Sequence, residues 1–303
     1  MLLLPLLALP GCHGGGAPQA QVAPPPPAVR SDFDGDRAYA DLVAQCQLGV
    51  RPPGSKAHEE CRKFIIQQLT PYVDKVDTQP FTFHDPDRHV TLHMTNIIGV
   101  INPAATRKIM VFTHWDTRPT ADEDLDHKDR PIMGADDGAS GTAAELELAR
   151  VFHEKRPTVG VILLFVDGED WGPGEDRMYL GARYFAKHPG IYKPSYAILL
   201  DMIGQKDLHI YREVHSEQWA PEVDNKIWSA AKDLGYADQF PDSAKYTMGD
   251  DHVPFHDAGI EAVDLIDFDY AYWHTLQDTA DKCSPSSLKA VGDVVAKVIY
   301  DEK

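Results

Sequence analysis

The sequence predicts an α/β fold: a single domain with a mixed, mostly parallel central sheet and helices on both faces. Three observations carry that reading. Short continuous apolar runs recur along the chain, as strands buried on both faces require. Segments of helical spacing separate them. Acids and histidines fall just past the carboxyl ends of those runs, where open α/β sheets build their sites.

The elements follow in order. A helix is expected over 36–47 and a second over 56–69, where Phe64, Ile65 and Leu69 recur at helical spacing. Two strands alternate around 78–84 and 88–93 and lead to 97–101. The run Ile109-Met110-Val111-Phe112 reads as a buried strand by its β-branched and aromatic content. Helix 140–154, strand 159–166, helix 182–187, strand 196–200, helix 222–234, strand 260–266 and a closing helix over 285–300 complete the series. No repeat of fixed period is visible.

The first thirty residues stand apart. Residues 1–12 hold an apolar run, Leu2 to Leu9, ending in Leu9-Pro10-Gly11-Cys12. This resembles a bacterial lipoprotein signal, cut before a cysteine that receives lipid. The run is too short to span a bilayer as a helix. Residues 13–30, with Gly14-Gly15-Gly16 and Pro24-Pro25-Pro26-Pro27, cannot build a core and read as a tether. A lipid on Cys12 is the one membrane contact expected, and it places the protein on the periplasmic side of the cell envelope. The catalytic domain is expected over 31–303.

A formal net charge of −18 excludes nucleic acid as a partner, because phosphate binding needs a basic surface. Cys46 and Cys61 flank the turn-rich stretch Arg51-Pro52-Pro53-Gly54-Ser55 and are able to pair in an oxidising compartment. Cys283 has no evident partner. Without a CxxC pair, a thiolate zinc site is not expected.

The chemistry gathers at strand ends. His114 and Asp116 follow strand 109–113; Asp136 and Asp137 sit in Gly134-Ala135-Asp136-Asp137-Gly138, just before a helix that either could cap. Asp167, Glu169 and Asp170 follow strand 159–166. Asp201 ends an apolar run, where a carboxylate is costly unless paired or bound to a cation. Asp250, Asp251 and His252 enter a short helix, and Trp273-His274-Thr275 forms the last cluster. Carboxylates and imidazoles from separate strand ends suit a zinc ion with an open coordination position. The acidic stretch 122–126 lacks the glycine and spaced ligands of a calcium loop and reads as a solvated loop near the pocket mouth. His209, His215 and His256 read as surface or structural, and Trp219 and Trp228 as helix packing.

The series HWDTRP, GADDGASG, DGED, LLD, DDHVPF and WHT resembles the zinc aminopeptidase-like clan, and within it the glutaminyl-peptide cyclotransferases. The resemblance runs from about residue 46 to the C-terminus. It implies an enzyme that closes the N-terminal glutamine of peptides or proteins to pyroglutamate with release of ammonia, using one zinc ion. The implied zinc ligands are Asp137, Asp170 and His274, with Asp170 standing where the family commonly has glutamate. Glu169 matches the proton-transferring acid/base. Asp201 and Asp250 match two carboxylates that hydrogen-bond one another. Trp171 and Trp273 match walls of the substrate pocket. Asp264 departs from the pattern, since animal relatives carry a histidine near it. The runner-up is a dizinc aminopeptidase, in which His114 and Asp201 would bind a second zinc bridged by Asp137. A tethered binding protein with a degenerate site is the third reading; it predicts a damaged ligand set, and none of the four central residues is missing.

Overall fold

The computed structural model describes residues 31–303. The signal-like run, Cys12 and the Gly/Pro-rich stretch lie outside them. Among the described residues, no helix is long and apolar enough to cross a membrane.

Helices start where side chains satisfy their free N–H groups. Helix α1 (Gly35–Leu48) is capped by Asp34, whose carboxylate accepts from the N–H groups of Asp36 and Arg37. Helix α2 (Lys56–Leu69) is capped by Ser55. Next come strand β1 (Lys75–Asp85) and strand β2 (Val90–Ile101), a hairpin paired along its whole length from Lys75↔Val100 to Asp85↔Val90. Residues 88–93 and 97–101, read as separate pieces, are thus largely one strand. Only 97–101 continues into the sheet, against strand β4 (Gly160–Val166); the exposed polar positions nearer the hairpin tip explain the break in the pattern.

Strand β3 (Lys108–His114) leads to helix α3 (Ala139–Glu154), and β4 leads to helix α4 (Leu180–Lys187). Strand β5 (Ala197–Asp201) is followed by two elements with no sequence signal, strand β6 (Arg212–Glu213) and helix α5 (Val214–Trp219). Helix α6 (Pro221–Leu234), the short strand β7 (Ala244–Tyr246), helix α7 (His252–Asp257), strand β8 (Ala262–Ile266) and helix α8 (Pro285–Asp301) complete the chain.

The main sheet runs β1-β2-β4-β3-β5-β8. Strands β4, β3, β5 and β8 are mutually parallel, while the hairpin joins antiparallel. Alternate residues of each apolar run feed opposite cores. Ile109, Val111, Leu163 and Phe165 pack with residues of α1, α2, α3, α6 and α8. Met110, Phe112, Ile162 and Leu164 pack on the other face with Phe185 of α4 and Phe255 of α7. This is the reason the strands read as unbroken apolar runs. Four parallel strands end on one edge, and the loops after β3, β4, β5 and β8 meet there.

Cys46, Cys61 and Cys283 are free thiols. Cys61 turns into the core face of α2, fully buried, and the pairing with Cys46 that the sequence left open is not formed.

Candidate metal centre and active site

The loop before α3 is shaped by glycine. Gly138 has φ +97, and a Cβ there would lie 2.6 Å from the Asp116 carbonyl oxygen and 2.9 Å from the His114 ring. Only glycine meets both demands. Gly138 is itself the N-cap of α3, with no side-chain cap, so neither Asp136 nor Asp137 serves as a helix cap. The Asp278 carboxylate accepts from the N–H groups of Asp136 (2.9 Å) and Asp137 (3.3 Å) and pins this loop. The Asp136 side chain accepts from Gly204 N–H. Asp137 is left to point at the site.

The turn after β4 is built around another acid. Asp116 accepts from three consecutive N–H groups, those of Gly168 (2.9 Å), Glu169 (3.1 Å) and Asp170 (3.3 Å). Its carboxylate acts as a template that presents Glu169 and Asp170. The third contributor, His274, lies in the left-handed region with φ 54, a conformation that costs about 1 kcal/mol or more for a non-glycine residue. Trp273 stacks on its ring at 3.8 Å between centroids.

Asp137, Asp170 and His274 offer ligand atoms that all lie within 4.8 Å of one another. His274 Nε2 stands 3.6 Å from Asp137 Oδ2 and 3.5 Å from Asp170 Oδ1. These gaps are too long for hydrogen bonds. They match the roughly 3.4 Å edge of a tetrahedron with zinc-type bond lengths of about 2.1 Å. Asp137 Oδ2 and Asp170 Oδ2 are buried with no hydrogen-bond partner. The donor set therefore fits a divalent cation.

The surrounding charge makes the same demand. Glu169, Asp201, Asp250, Asp251 and Asp264 are buried close by, and Arg118 is the arginine that reaches in. Its Nη1 donates to Asp170 at 2.7 Å, while Nε and Nη2 grip Asp122. Asp122 in turn faces His274 Nδ1 at 3.3 Å. The stretch 122–126, expected to be merely solvated, therefore supplies a carboxylate placed to orient the His274 imidazole.

Titration reflects this crowding. Burial raises the Glu169 pKa well above the carboxylate range, with Asp170 adding to it and His114 opposing. Burial also works against the Asp170 carboxylate, but His274 and Arg118 outweigh it and bring its pKa below the usual value. Burial raises Asp250 strongly, reinforced by Asp264, Asp201 and Glu169.

A cavity of about 50 Å³ opens at the centre, lined by Asp137, Glu169, Asp201, Asp250, Trp273 and His274 together with Met178, Met202, Met248, Gly249, Ile266 and Phe268. Glu169, Asp201, Asp250 and Trp273 are thus gathered as the sequence predicts. Two details differ. Asp201 and Asp250 share the cavity, but no hydrogen bond joins them; Asp201 Oδ1 instead faces His114 Nε2 at 3.3 Å. Trp171 does not line the cavity. Its indole N–H donates to Asp85 at 2.8 Å, Arg88 covers its ring at 4.4 Å, and it packs with Phe81, Leu92, Met94 and Leu180. The hairpin tip captures it.

A second group, His114, Asp137 and Asp201, also meets the spacing for a metal. His114 is fully buried with neither ring nitrogen hydrogen-bonded. Burial disfavours its charge, but Asp201, Asp116 and Asp137 outweigh this and raise its pKa well above the usual value. Asp264, the departure from the family pattern, has both carboxylate oxygens buried without a partner.

Sequence reading named Asp116 among the strand-end acids and put Asp122 in a loop near the pocket mouth, with no role for either, and it missed Arg118 and Asp278 as builders of the site. Asp116 and Arg118 lie in a flagged motif, whereas nothing near Asp278 in the chain signals its role.

Fold and site together define an α/β protein of the zinc aminopeptidase-like kind. Residues 96–299 match the model of peptidase family M28. The glutaminyl-peptide cyclotransferase of Drosophila melanogaster is 29% identical over 260 residues, 76% of this chain and 71% of that protein. The glutaminyl cyclase of Bacteroides thetaiotaomicron, crystallised with N-acetylhistamine, superposes with a TM-score of 0.88 at 36% identity, covering 91% of this chain and 100% of its own. A leucine aminopeptidase precursor from the same organism superposes with a TM-score of 0.87 at 37% identity, covering 89% and 98%. The chain belongs to peptidase family M28 and is a homologue of the glutaminyl cyclases.

Proposed function

We propose that the protein is a zinc-dependent glutaminyl-peptide cyclotransferase acting on peptides or proteins with N-terminal glutamine. The observation that carries this reading is the meeting of Asp137, Asp170 and His274 beside a small cavity lined by Asp137 and His274 together with Glu169 and Trp273. Zinc on those three residues would supply Lewis acidity to the γ-carbonyl oxygen of the substrate.

The remaining work falls to the chain's own groups. The α-amine of the substrate is the nucleophile: its nitrogen bonds to the γ-amide carbon, and the bond from that carbon to the amide nitrogen breaks. Glu169 takes the proton lost by the amine and delivers it to the departing ammonia. A carboxyl whose pKa is raised by burial and by Asp170 suits that exchange. Trp273 walls the cavity, and the small volume keeps the glutamine curled with amine and amide in contact. Asp201 and Asp250 face the same space and are placed to hold the amine and relay its proton.

A second reading is favoured by one observation, the His114–Asp137–Asp201 group. With a second zinc there, the protein would be a dizinc aminopeptidase. One experiment separates the two. A short Gln-initiated peptide is incubated with enzyme, with and without chelator, and its mass followed. Loss of the mass of ammonia, abolished by chelator, supports cyclisation. Release of free glutamine contradicts it.

By sequence, a lipid on Cys12 would tether the enzyme to the periplasmic side of the cell envelope; metabolic labelling with a fatty acid, lost in Cys12→Ser, tests this.

A further inference from the structure

The reaction cavity is small, about 50 Å³. The part of a peptide beyond its reacting residue must leave it. One larger cavity, about 590 Å³, shares its wall: Met248 and Gly249 line both. The segment around the 175–179 turn also faces both, with Met178 on the small cavity and Glu175 and Tyr179 on the large one. Two further cavities, about 670 Å³ under the hairpin and about 520 Å³ between α6 and α8, share no lining residue with the reaction cavity.

The shared wall is held in an uncommon conformation. Tyr179 lies in the left-handed region, φ 59. Its N–H donates to the Glu169 carbonyl at 3.0 Å, and its hydroxyl donates to the Gly249 carbonyl. Tyr179 thereby ties the backbone of the acid/base to the loop that leads into Asp250. Strain of this kind gathers at functional sites.

On the far side of Tyr179, the large cavity carries two cations. Arg183 and Lys187 lie one turn apart on α4 and both line it. Arg183 sits over the Tyr179 ring at 5.6 Å. Among the described residues, neither has a partner within ion-pair distance, although most other arginines of this strongly acidic chain do. Glu175 and Asp257 also line the cavity, and they too stand outside ion-pair distance of these cations. Met248, Val253 and Pro254 give the floor an apolar surface.

We infer that this cavity is a subsite for a carboxylate carried two or three residues downstream of the N-terminal glutamine, held by Arg183 and Lys187. The inference rests on the cyclisation reading, which makes the occupant a peptide. Its carboxylate comes from an Asp or Glu side chain, or from the C-terminus of a short peptide. At about 3.3 Å per extended residue, two or three residues span about 7 to 10 Å, and Tyr179 alone bridges the same gap, with its hydroxyl on the Gly249 carbonyl and Arg183 over its ring. Tyr179 and the cations, none of which lines the reaction cavity, then set selectivity without touching the reacting atoms.

The test is steady-state kinetics on Gln-initiated peptides that differ only at the third or fourth position: Glu, Ala or Lys. A second arm compares the Ala peptide as free acid and as C-terminal amide. Wild type is expected to prefer Glu over Lys by about three- to tenfold in kcat/KM, as for a partly exposed ion pair, expressed in KM and shrinking with salt. A gain for the free acid over the amide identifies the terminus as a second source. Arg183→Glu and, separately, Lys187→Glu should reverse the preference, while Arg183→Lys retains it. Lys187 is exposed, so its reversal leaves the fold intact, and thermal unfolding verifies this for both. Equal kcat/KM for all peptides in wild type, or a preference untouched by both reversals, overturns the subsite while leaving cyclisation standing. Absence of ammonia release from every peptide sinks the cyclisation reading and the subsite with it.

Discussion

Glu169 and Asp170 are neighbours in sequence with opposite tendencies. Arg118 and His274 keep Asp170 ionised against burial, while burial and Asp170 itself favour the proton on Glu169. Two adjacent carboxyls whose pKa values are pushed apart are suited to separate tasks, one to bind a cation and one to move a proton. Glu169→Gln is therefore expected to lower kcat by about 10²-fold or more with zinc content unchanged by elemental analysis; full turnover would remove Glu169 from the mechanism. Asp122→Asn should weaken zinc binding by about 10- to 100-fold, read by competition with a chromogenic chelator, because His274 loses its orienting carboxylate. Identical affinity would show that Asp122 is only a loop residue. His114 and Asp201 were legible because each ends an apolar run; Asp137, Asp170 and His274 lie in loops and were singled out as ligands by the resemblance of their motifs to the family. Asp122 and Trp171 were not legible, since their roles depend on partners 152 and 86 positions away, His274 and Asp85 respectively.

At the scale of elements, one buried acid holds the β6–α5 junction. Glu213 caps α5 and accepts from the N–H groups of His215, Ser216 and Met248 and from the Ser216 hydroxyl. Burial opposes its charge, but His252 and those backbone donors outweigh it and lower its pKa from the usual 4.5 to about 2. A depressed carboxylate stabilises the fold above its unfolded pKa and loses that contribution as pH falls through the folded one. Wild type should therefore shed about 3 kcal/mol of stability between those two values that Glu213→Gln does not. Urea unfolding across acid pH measures this, and parallel curves for the two proteins would contradict it. Neither β6 nor α5 was visible in sequence. Two strand residues carry no period, and a six-residue helix held by a glutamate cap lacks the usual Ser, Thr, Asp or Asn signal. By contrast, β3, β4, β5 and β8 were legible, because each splits its apolar residues between two cores and so reads as an unbroken run.

For the molecule as a whole, the parallel sheet fixes where four loops end, and the acids on those loops repel one another. A bound cation would remove that repulsion, so metal and fold are linked. Chelation should lower the unfolding midpoint by several degrees, about 2–4 °C for each kcal/mol of lost binding, and added zinc should restore it; a midpoint indifferent to chelator would detach the cation from the fold. The −18 net charge gave no hint of this, since it counts surface and buried acids alike. The retained His114 and Asp201 left the number of ions open in the sequence, because residue identity does not say which orphaned oxygen a cation occupies. Anomalous diffraction at the zinc edge from crystals of the purified protein tests the centre most directly. The account predicts one peak, within about 2.0–2.2 Å of Asp137, Asp170 and His274. A peak elsewhere, or two equal peaks with the second against His114 and Asp201, would contradict it.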